Sequence, residues 1–283
     1  MPRYPEIVRT RAALGEAVAR WRGSGETHAL VPTMGALHDG HLGLVRLARQ
    51  HCPRVAVSIF VNPTQFSPTE DLSRYPRDEA GDLAKLATVD CDLVWAPDPA
   101  EMYPPGFATR IVPEGAALGL EADFRPHFFS GVATVCCKLF TQVGPKVAIF
   151  GEKDFQQLCV VRQMVRDIDL PLTIIGAPTL REPDGLAMSS RNRYLTPGER
   201  RIAPLLHSLL TRAAEAIQDG NAIADECRKG IAELNRGGFK TDYVSARDAE
   251  TLTPATAGRP MRILAAAWLG KTRLIDNLPI PPR

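Results

Sequence analysis

His38 and His41 stand three residues apart in the string Val31-Pro32-Thr33-Met34-Gly35-Ala36-Leu37-His38-Asp39-Gly40-His41, which passes from an apolar run through a glycine turn into a helical pattern. That succession suits phosphate binding. Gly35 and Gly40 let backbone approach a ligand closely, and a helix starting near His41 offers unpaired amide N–H groups and a positive dipole end to an anion. At this spacing the two imidazoles can face the same ligand from the first helical turn. Taken alone, the pair also fits a histidine that caps a loop beside a half-buried neighbour. A zinc reading is weaker, because apart from Asp39 no local cysteine or carboxylate pattern completes a tetrahedral site.

Three further clusters carry polar groups of a kindred sort. Asn62 and Gln65 follow the β-rich run that ends in Ser58-Ile59-Phe60-Val61, at the strand end where open α/β sheets place their ligands. Beside Pro63 they serve as well as turn formers. Gly151-Glu152-Lys153-Asp154-Phe155-Gln156-Gln157 again leads from strand to helix, and Lys153 can meet phosphate oxygens as a point charge. Asp154 and Gln157 also have the spacing of a helix cap and its reciprocal partner. In Asp184-Gly185-Leu186-Ala187-Met188-Ser189-Ser190-Arg191-Asn192, two hydroxyls and a guanidinium stand in a row, as donors to a triphosphate or as a solvated turn.

The elements that must hold these clusters are visible in the apolar pattern. Runs at 29–32, 55–61, 93–96, 147–150 and 172–175 read as strands, and 41–50 and 154–167 carry apolar residues at helical spacing. Such alternation predicts a parallel sheet covered by helices. After the polar turn Arg181-Glu182-Pro183-Asp184-Gly185 no further βαβ unit follows. Thr196-Pro197-Gly198-Glu199 opens a helix with a capping box, helical pattern runs to about Asn235, and strands are expected at 242–246 and 262–266, with a loose tail from Pro279. The expected fold class is therefore α/β. A Rossmann-like parallel-sheet domain occupies residues 1–180, and a smaller α+β C-terminal domain occupies 181–283.

Composition narrows the setting. With 45% apolar and 23% charged residues in 283, the chain is globular rather than disordered, and a formal net charge of +2 predicts no strong affinity for nucleic acid or an anionic membrane. No signal-like or bilayer-length apolar stretch stands out, so a cytoplasmic location is expected. The six cysteines form no C-x-x-C pair and mostly lie in apolar runs, where reduced thiols pack as small hydrophobes.

Here a resemblance extends the reading. His38 and His41 match the histidines of the HIGH signature of nucleotidylyltransferases and class I aminoacyl-tRNA synthetases, and Pro-Thr-Met-Gly-Ala-Leu-His-Asp-Gly-His is similar to the version found in the pantothenate synthetase family. Arg74-Tyr75-Pro76-Arg77, the Gly-Glu-Lys-Asp string, the Met-Ser-Ser-Arg string (at the place of the superfamily's KMSKS loop), Ala266–Gly270 and Arg273–Asn277 also resemble that family. The resemblance implies ATP-dependent joining of pantoate and β-alanine through a pantoyl adenylate, with Mg²⁺ accompanying ATP, in a homodimer. It assigns ATP to Met34, Gly35, Ala36, Leu37, His38, Asp39, Gly40, His41, Gly151, Glu152, Lys153, Asp154, Leu180, Met188, Ser189, Ser190 and Arg191. Pantoate falls to Gln65 and Gln157, with Met34, Phe60 and Asn62 beside it. His41, His38 and Lys153 are the expected catalytic residues, and the metal ligands stay unassigned. One departure stands out: the family's Arg-Pro-Gly-His-Phe-x-Gly-Val is here Arg125-Pro126-His127-Phe128-Phe129-Ser130-Gly131-Val132, with the histidine displaced by one position, so no role carries over to His127, and Arg125 is left open. Two other readings of the same residues are a nucleotidylyltransferase that stops after AMP transfer and a non-catalytic nucleotide-binding regulator.

Overall fold

A computed structural model describes residues 3–66, 72, 75–256 and 258–282. Arg74 of the quoted string lies outside them. Among the described residues, six parallel strands form one sheet. Its order is β1 (Glu6–Val8), β4 (Leu93–Trp95), β3 (Arg54–Ile59), β2 (His28–Thr33), β5 (Val147–Gly151) and β6 (Thr173–Ala177). The five expected runs are β2 to β6, with ends shifted by one or two residues. β1 is a three-residue edge strand, too short to leave a period in the sequence.

Ten helices accompany the strands: α1 (Arg11–Gly23), α2 (Asp39–His51), α3 (Glu79–Ala87), α4 (Pro99–Met102), α5 (Glu121–Phe124), α6 (Phe128–Val143), α7 (Phe155–Asp167), α8 (Pro197–Ile202), α9 (Leu205–Gln218) and α10 (Ile223–Arg236), counted among the described residues. The chain divides into two compact units. The first takes Met1–Pro113, Arg125–Glu152 and Val160–Pro178; the second takes Glu114–Phe124, Lys153–Cys159 and Thr179–Arg283.

In the first unit, alternate residues of the central strands face opposite sides of the sheet. Val31, Val57, Val94 and Ile149 meet Leu42 and Val45 of α2 and Leu86 of α3, all at most 5% exposed. Phe150 on the other face meets Phe140 of α6, and the Trp95 indole donates to Gln142 there. Burying one such aliphatic side chain is worth about 1.5–3 kcal/mol, so these two layers hold the sheet. α6 ends where Gly144 adopts the left-handed conformation at φ 59°.

In the second unit, β7 (Phe239–Asp248), β8 (Met261–Leu269) and β9 (Thr272–Ile280) form an antiparallel sheet. Leu206, Leu210 and Leu234 of α9 and α10 pack on one face against Ile263, Ala265 and Leu274. α8 opens with the expected capping box: Glu199 N–H donates to Thr196 Oγ1 at 3.3 Å, and Thr196 N–H donates to Glu199 Oε2 at 2.8 Å. The expected loose tail is corrected. Pro279 lies inside β9 and Ile280 is 1% exposed. Asp276 breaks the apolar alternation that would have announced the strand, and an edge strand tolerates the proline.

Candidate active site

The order of strands reverses between β2 and β5, and at such a point an open sheet leaves a crevice beyond its carboxyl ends. Pairing of these two strands covers Ala29 with Val147 and Leu30 with Ala148. β2 then runs on to Thr33 and β5 to Gly151.

Beyond Thr33 the backbone turns through two left-handed residues, Gly35 at φ 79° and Ala36 at φ 51°. A carboxylate holds this turn. Ala36 and Leu37 N–H donate to Asp82 of α3 at 2.8 and 2.7 Å, and Lys85 Nζ donates to the Leu37 carbonyl at 2.8 Å. A Cβ on residue 35 would lie 3.0 Å from Asp82 Oδ2, so glycine is needed for both its torsion and its size. Asp82 is 1% exposed; burial pushes its carboxyl above the usual range, against the pull of the two amides and Lys85. The amides of the turn itself are thus engaged: Gly35 N–H donates to Thr33 Oγ1, and those of Ala36 and Leu37 to Asp82.

The two histidines cap α2 reciprocally. Gly40 N–H donates to His38 Nδ1 at 3.2 Å, and His38 N–H donates to His41 Nδ1 at 3.3 Å. An Nδ1 that accepts an N–H carries no proton, so in each neutral ring the hydrogen bonds assign the proton to Nε2. The ring centroids are 4.1 Å apart. Capping thus uses Nδ1 of each ring. Asp39 adds a carboxylate in the first helical turn.

After β3 comes the 3-10 turn Pro63–Gln65, organised around Asn62, which is 1% exposed. Asn62 Nδ2 donates to Gln65 Oε1 and to the Gly131 carbonyl, both at 3.1 Å, while Oδ1 accepts from Thr64 N–H and Oγ1 and from the Tyr103 hydroxyl at 2.8 Å. These bonds fill the capacity of an amide side chain, so Asn62 acts here by orienting Gln65. Gln65 Nε2 is thereby turned toward Met34 Sδ, 3.1 Å away. Phe60, 5% exposed, has its ring 6.1 Å from that of Tyr103. Arg125, left open by the sequence, donates to the Gln65 carbonyl at 3.3 Å and lies over the Phe128 ring. His127 is exposed at the start of α6 and makes no side-chain cap.

Gly151 and Glu152 close β5 and open the 3-10 turn Glu152–Asp154. Within the second unit, Lys153 Nζ lies 3.7 Å from Asp154 Oδ2, with 19% of the lysine side chain exposed. Gln157 is half-buried, whereas Gln156 is 3% exposed and structural: its carbonyl accepts from Glu121 N–H, and its amide donates to Ala116 and Gly119 carbonyls. Farther along, Arg181 and Ala187 form an antiparallel bridge and Met188 N–H donates to the Leu180 carbonyl at 3.0 Å. Ser189 Oγ accepts from Arg191 N–H and starts the 3-10 turn Ser190–Tyr194. Ser190 is buried, while Met188, Ser189 and Arg191 are half-buried.

Sequence reading missed Asp82 and Lys85, and gave Asn277, quoted within Arg273–Asn277, no role; its Nδ2 donates to the Lys153 carbonyl at 2.8 Å, so all three hold backbone rather than offer an obvious reactive group. A signal existed for Asp82: it sits one turn before Leu86 on the buried side of an amphipathic helix. A carboxylate there needs partners.

Comparison with known proteins bears on the whole chain. A family model described as pantoate-beta-alanine ligase matches residues 6–279. Pantothenate synthetase 2 of Bradyrhizobium diazoefficiens is 59% identical over 283 residues, covering 99% of this chain and 100% of that protein. A crystal structure of pantothenate synthetase from Thermus thermophilus matches with a TM-score of 0.91 at 47% identity, over 98% of this chain and 100% of that one. A crystal structure of pantoate-beta-alanine ligase from Francisella tularensis, complexed with beta-gamma ATP and beta-alanine, matches with a TM-score of 0.81 at 33% identity, over 97% of each chain. With a family model spanning almost its full length and relatives at these identities, the chain belongs to the pantoate-beta-alanine ligase family.

Proposed function

We propose that the chain joins pantoate to β-alanine at the cost of ATP, releasing pyrophosphate and AMP. The observation that carries this reading is the paired imidazoles at the carboxyl end of β2, each held through Nδ1 so that Nε2–H is a donor, in a chain of this family. First, a pantoate carboxylate oxygen attacks the α-phosphorus; the bond to the bridging oxygen breaks and pyrophosphate leaves. His41 and His38 donate to the phosphate oxygens on which charge builds, and Lys153, Ser189, Ser190 and Arg191 supply further donors. Then the β-alanine amine attacks the acyl carbon of the mixed anhydride, and AMP departs.

Gln65 and Gln157 bind the polar groups of pantoate in this reading, and Met34 and Phe60 form an apolar wall for its dimethyl carbon. Among the described residues no group of three His, Cys, Asp or Glu gathers as a metal cage. We therefore read Mg²⁺ as travelling on the phosphates, with MgATP as the substrate. The anhydride must be kept from water, which assigns the role of lid to the Met188–Arg191 loop, in a C-terminal lid domain of residues 181–283. Family resemblance supports a homodimer, and cysteines set mostly among buried apolar residues suit a reducing cytoplasm.

The test is incubation with MgATP, pantoate and β-alanine, followed by mass analysis with each component omitted in turn. Pantothenate is expected only in the complete mixture, with pyrophosphate released even when β-alanine is left out. Pyrophosphate release without any amide product in the complete mixture would overturn the assignment.

A further inference from the structure

Consecutive residues of a strand point to opposite faces of its sheet, and on β9 two consecutive polar residues are buried: Asp276 is 3% exposed and Asn277 2%. Neither is needed to form the sheet. On the face covered by α9, the Asp276 carboxylate takes the Arg181 guanidinium in both its oxygens, at 2.6 and 2.9 Å, with His207 Nδ1 3.6 Å away. Arg181 in turn donates to the Gly185 carbonyl at 3.0 Å, across the turn that its bridge to Ala187 closes. The base of the loop leading to Met188–Arg191 is thereby fixed to β9, and the Ser190–Tyr194 turn also packs against this strand.

On the opposite face Asn277 does a parallel task. Its Nδ2 donates to the Lys153 carbonyl at 2.8 Å, and its Oδ1 accepts from Arg262 Nε at 2.6 Å, which fixes the amide's orientation. Arg262 lies over the Phe155 ring, 3.9 Å from its centroid, so the same guanidinium clamps the residue two positions beyond the lysine. A charge pair and a charge-braced amide on neighbouring residues are costly to bury for packing alone. What they share is their targets: the two segments of this unit to which the proposed reaction assigns ATP.

We infer that Asp276 and Asn277 are positioning residues for nucleotide binding, one holding the base of the 181–188 turn and the other the backbone of Lys153, so that a single strand sets the spacing of both segments. This rests on the assignment of Lys153 and Met188–Arg191 to ATP. It predicts that Asn277→Asp, which keeps an acceptor for Arg262 but sets an oxygen against the Lys153 carbonyl, raises KM for ATP on the order of fivefold to tenfold. KM for β-alanine should stay within about twofold by the same reasoning. Asp276→Asn should shift the same constant in the same direction.

A structural role alone would lower stability without this selectivity, so the deciding readout is coupling. In a Lys153→Ala background, Asn277→Asp should add no further rise in KM for ATP, because it acts through Lys153. Full additivity there, or equal rises for ATP and β-alanine, overturns the inference. If Lys153→Ala itself leaves ATP kinetics unchanged, the assignment of Lys153 fails instead, and the inference fails with it. Should Asn277→Asp not fold, Asn277→Ser, which removes the amide without adding charge, is carried through the same cycle with the same expected outcomes.

Discussion

An imidazole can cap a helix and polarise a phosphate at once because its two nitrogens point apart. Two readings of His38 and His41 that look like rivals in the sequence are therefore compatible: both rings cap α2 through Nδ1, and the proposed reaction draws on Nε2–H. Substitutions separate the two roles. His41→Asn places an amide oxygen near the Nδ1 position and keeps the cap, but it offers no donor at the Nε2 position. It is expected to unfold at nearly the wild-type urea midpoint while pyrophosphate release slows by about 10²–10³, the scale of one oxyanion donor. His41→Gln reaches the Nε2 position and gives up the cap, so about 1 kcal/mol of stability should go while more of the rate remains. Single-turnover rates and urea curves on both variants check this, and a pattern with the two variants exchanged would move the histidine's contribution from chemistry to capping.

Among the elements, the short turn Pro63–Gln65 shows how a distant helix sets Gln65, to which the proposed function gives pantoate. Gly131, in the first turn of α6, packs directly on it: a Cβ there would lie 2.5 Å from the Thr64 carbonyl oxygen and 2.8 Å from Gln65 Cα. The backbone must shift to admit it. Gly131→Ala is therefore expected to displace Gln65 and raise KM for pantoate on the order of tenfold, with a smaller change in KM for ATP, since steric overlap of this kind costs roughly 1–3 kcal/mol. Steady-state kinetics with each substrate varied in turn would reveal it, and equal changes for both would dissociate the turn from pantoate. The string Ser130-Gly131-Val132 matches the family's, but what the glycine packs on could not be read, because its partner is 67 residues away at Thr64. By contrast the Thr196 capping box was legible at once, since all its atoms belong to four consecutive residues.

Over the whole molecule, the sequence pattern of cysteines in apolar runs has a measurable counterpart. Cys52, Cys91, Cys136 and Cys159 are buried, and burial pushes the Cys91 and Cys136 thiols up to about 12, far from the thiolate that reacts. In the native protein at pH 8, a thiol reagent should label half-buried Cys137 first and Cys227 slowly, the latter thiol also being raised by burial. The four buried thiols should react only with global unfolding, and their rapid labelling in native buffer would contradict the packing described. By itself the sequence determined the alternation of strands and helices, the strand-end placement of the phosphate-type motifs and the α8 cap. Each of these depends on residues within a turn or two of one another, where period and side-chain chemistry can be read directly. Only the tertiary structure decided that Asp82 grips the Gly35–Leu37 turn, that Asn62 serves Gln65, and that β9 holds Lys153 and Arg181 from its two faces. Those contacts join residues far apart along the chain, and a buried polar group reveals its purpose only through the partner that folding brings to it.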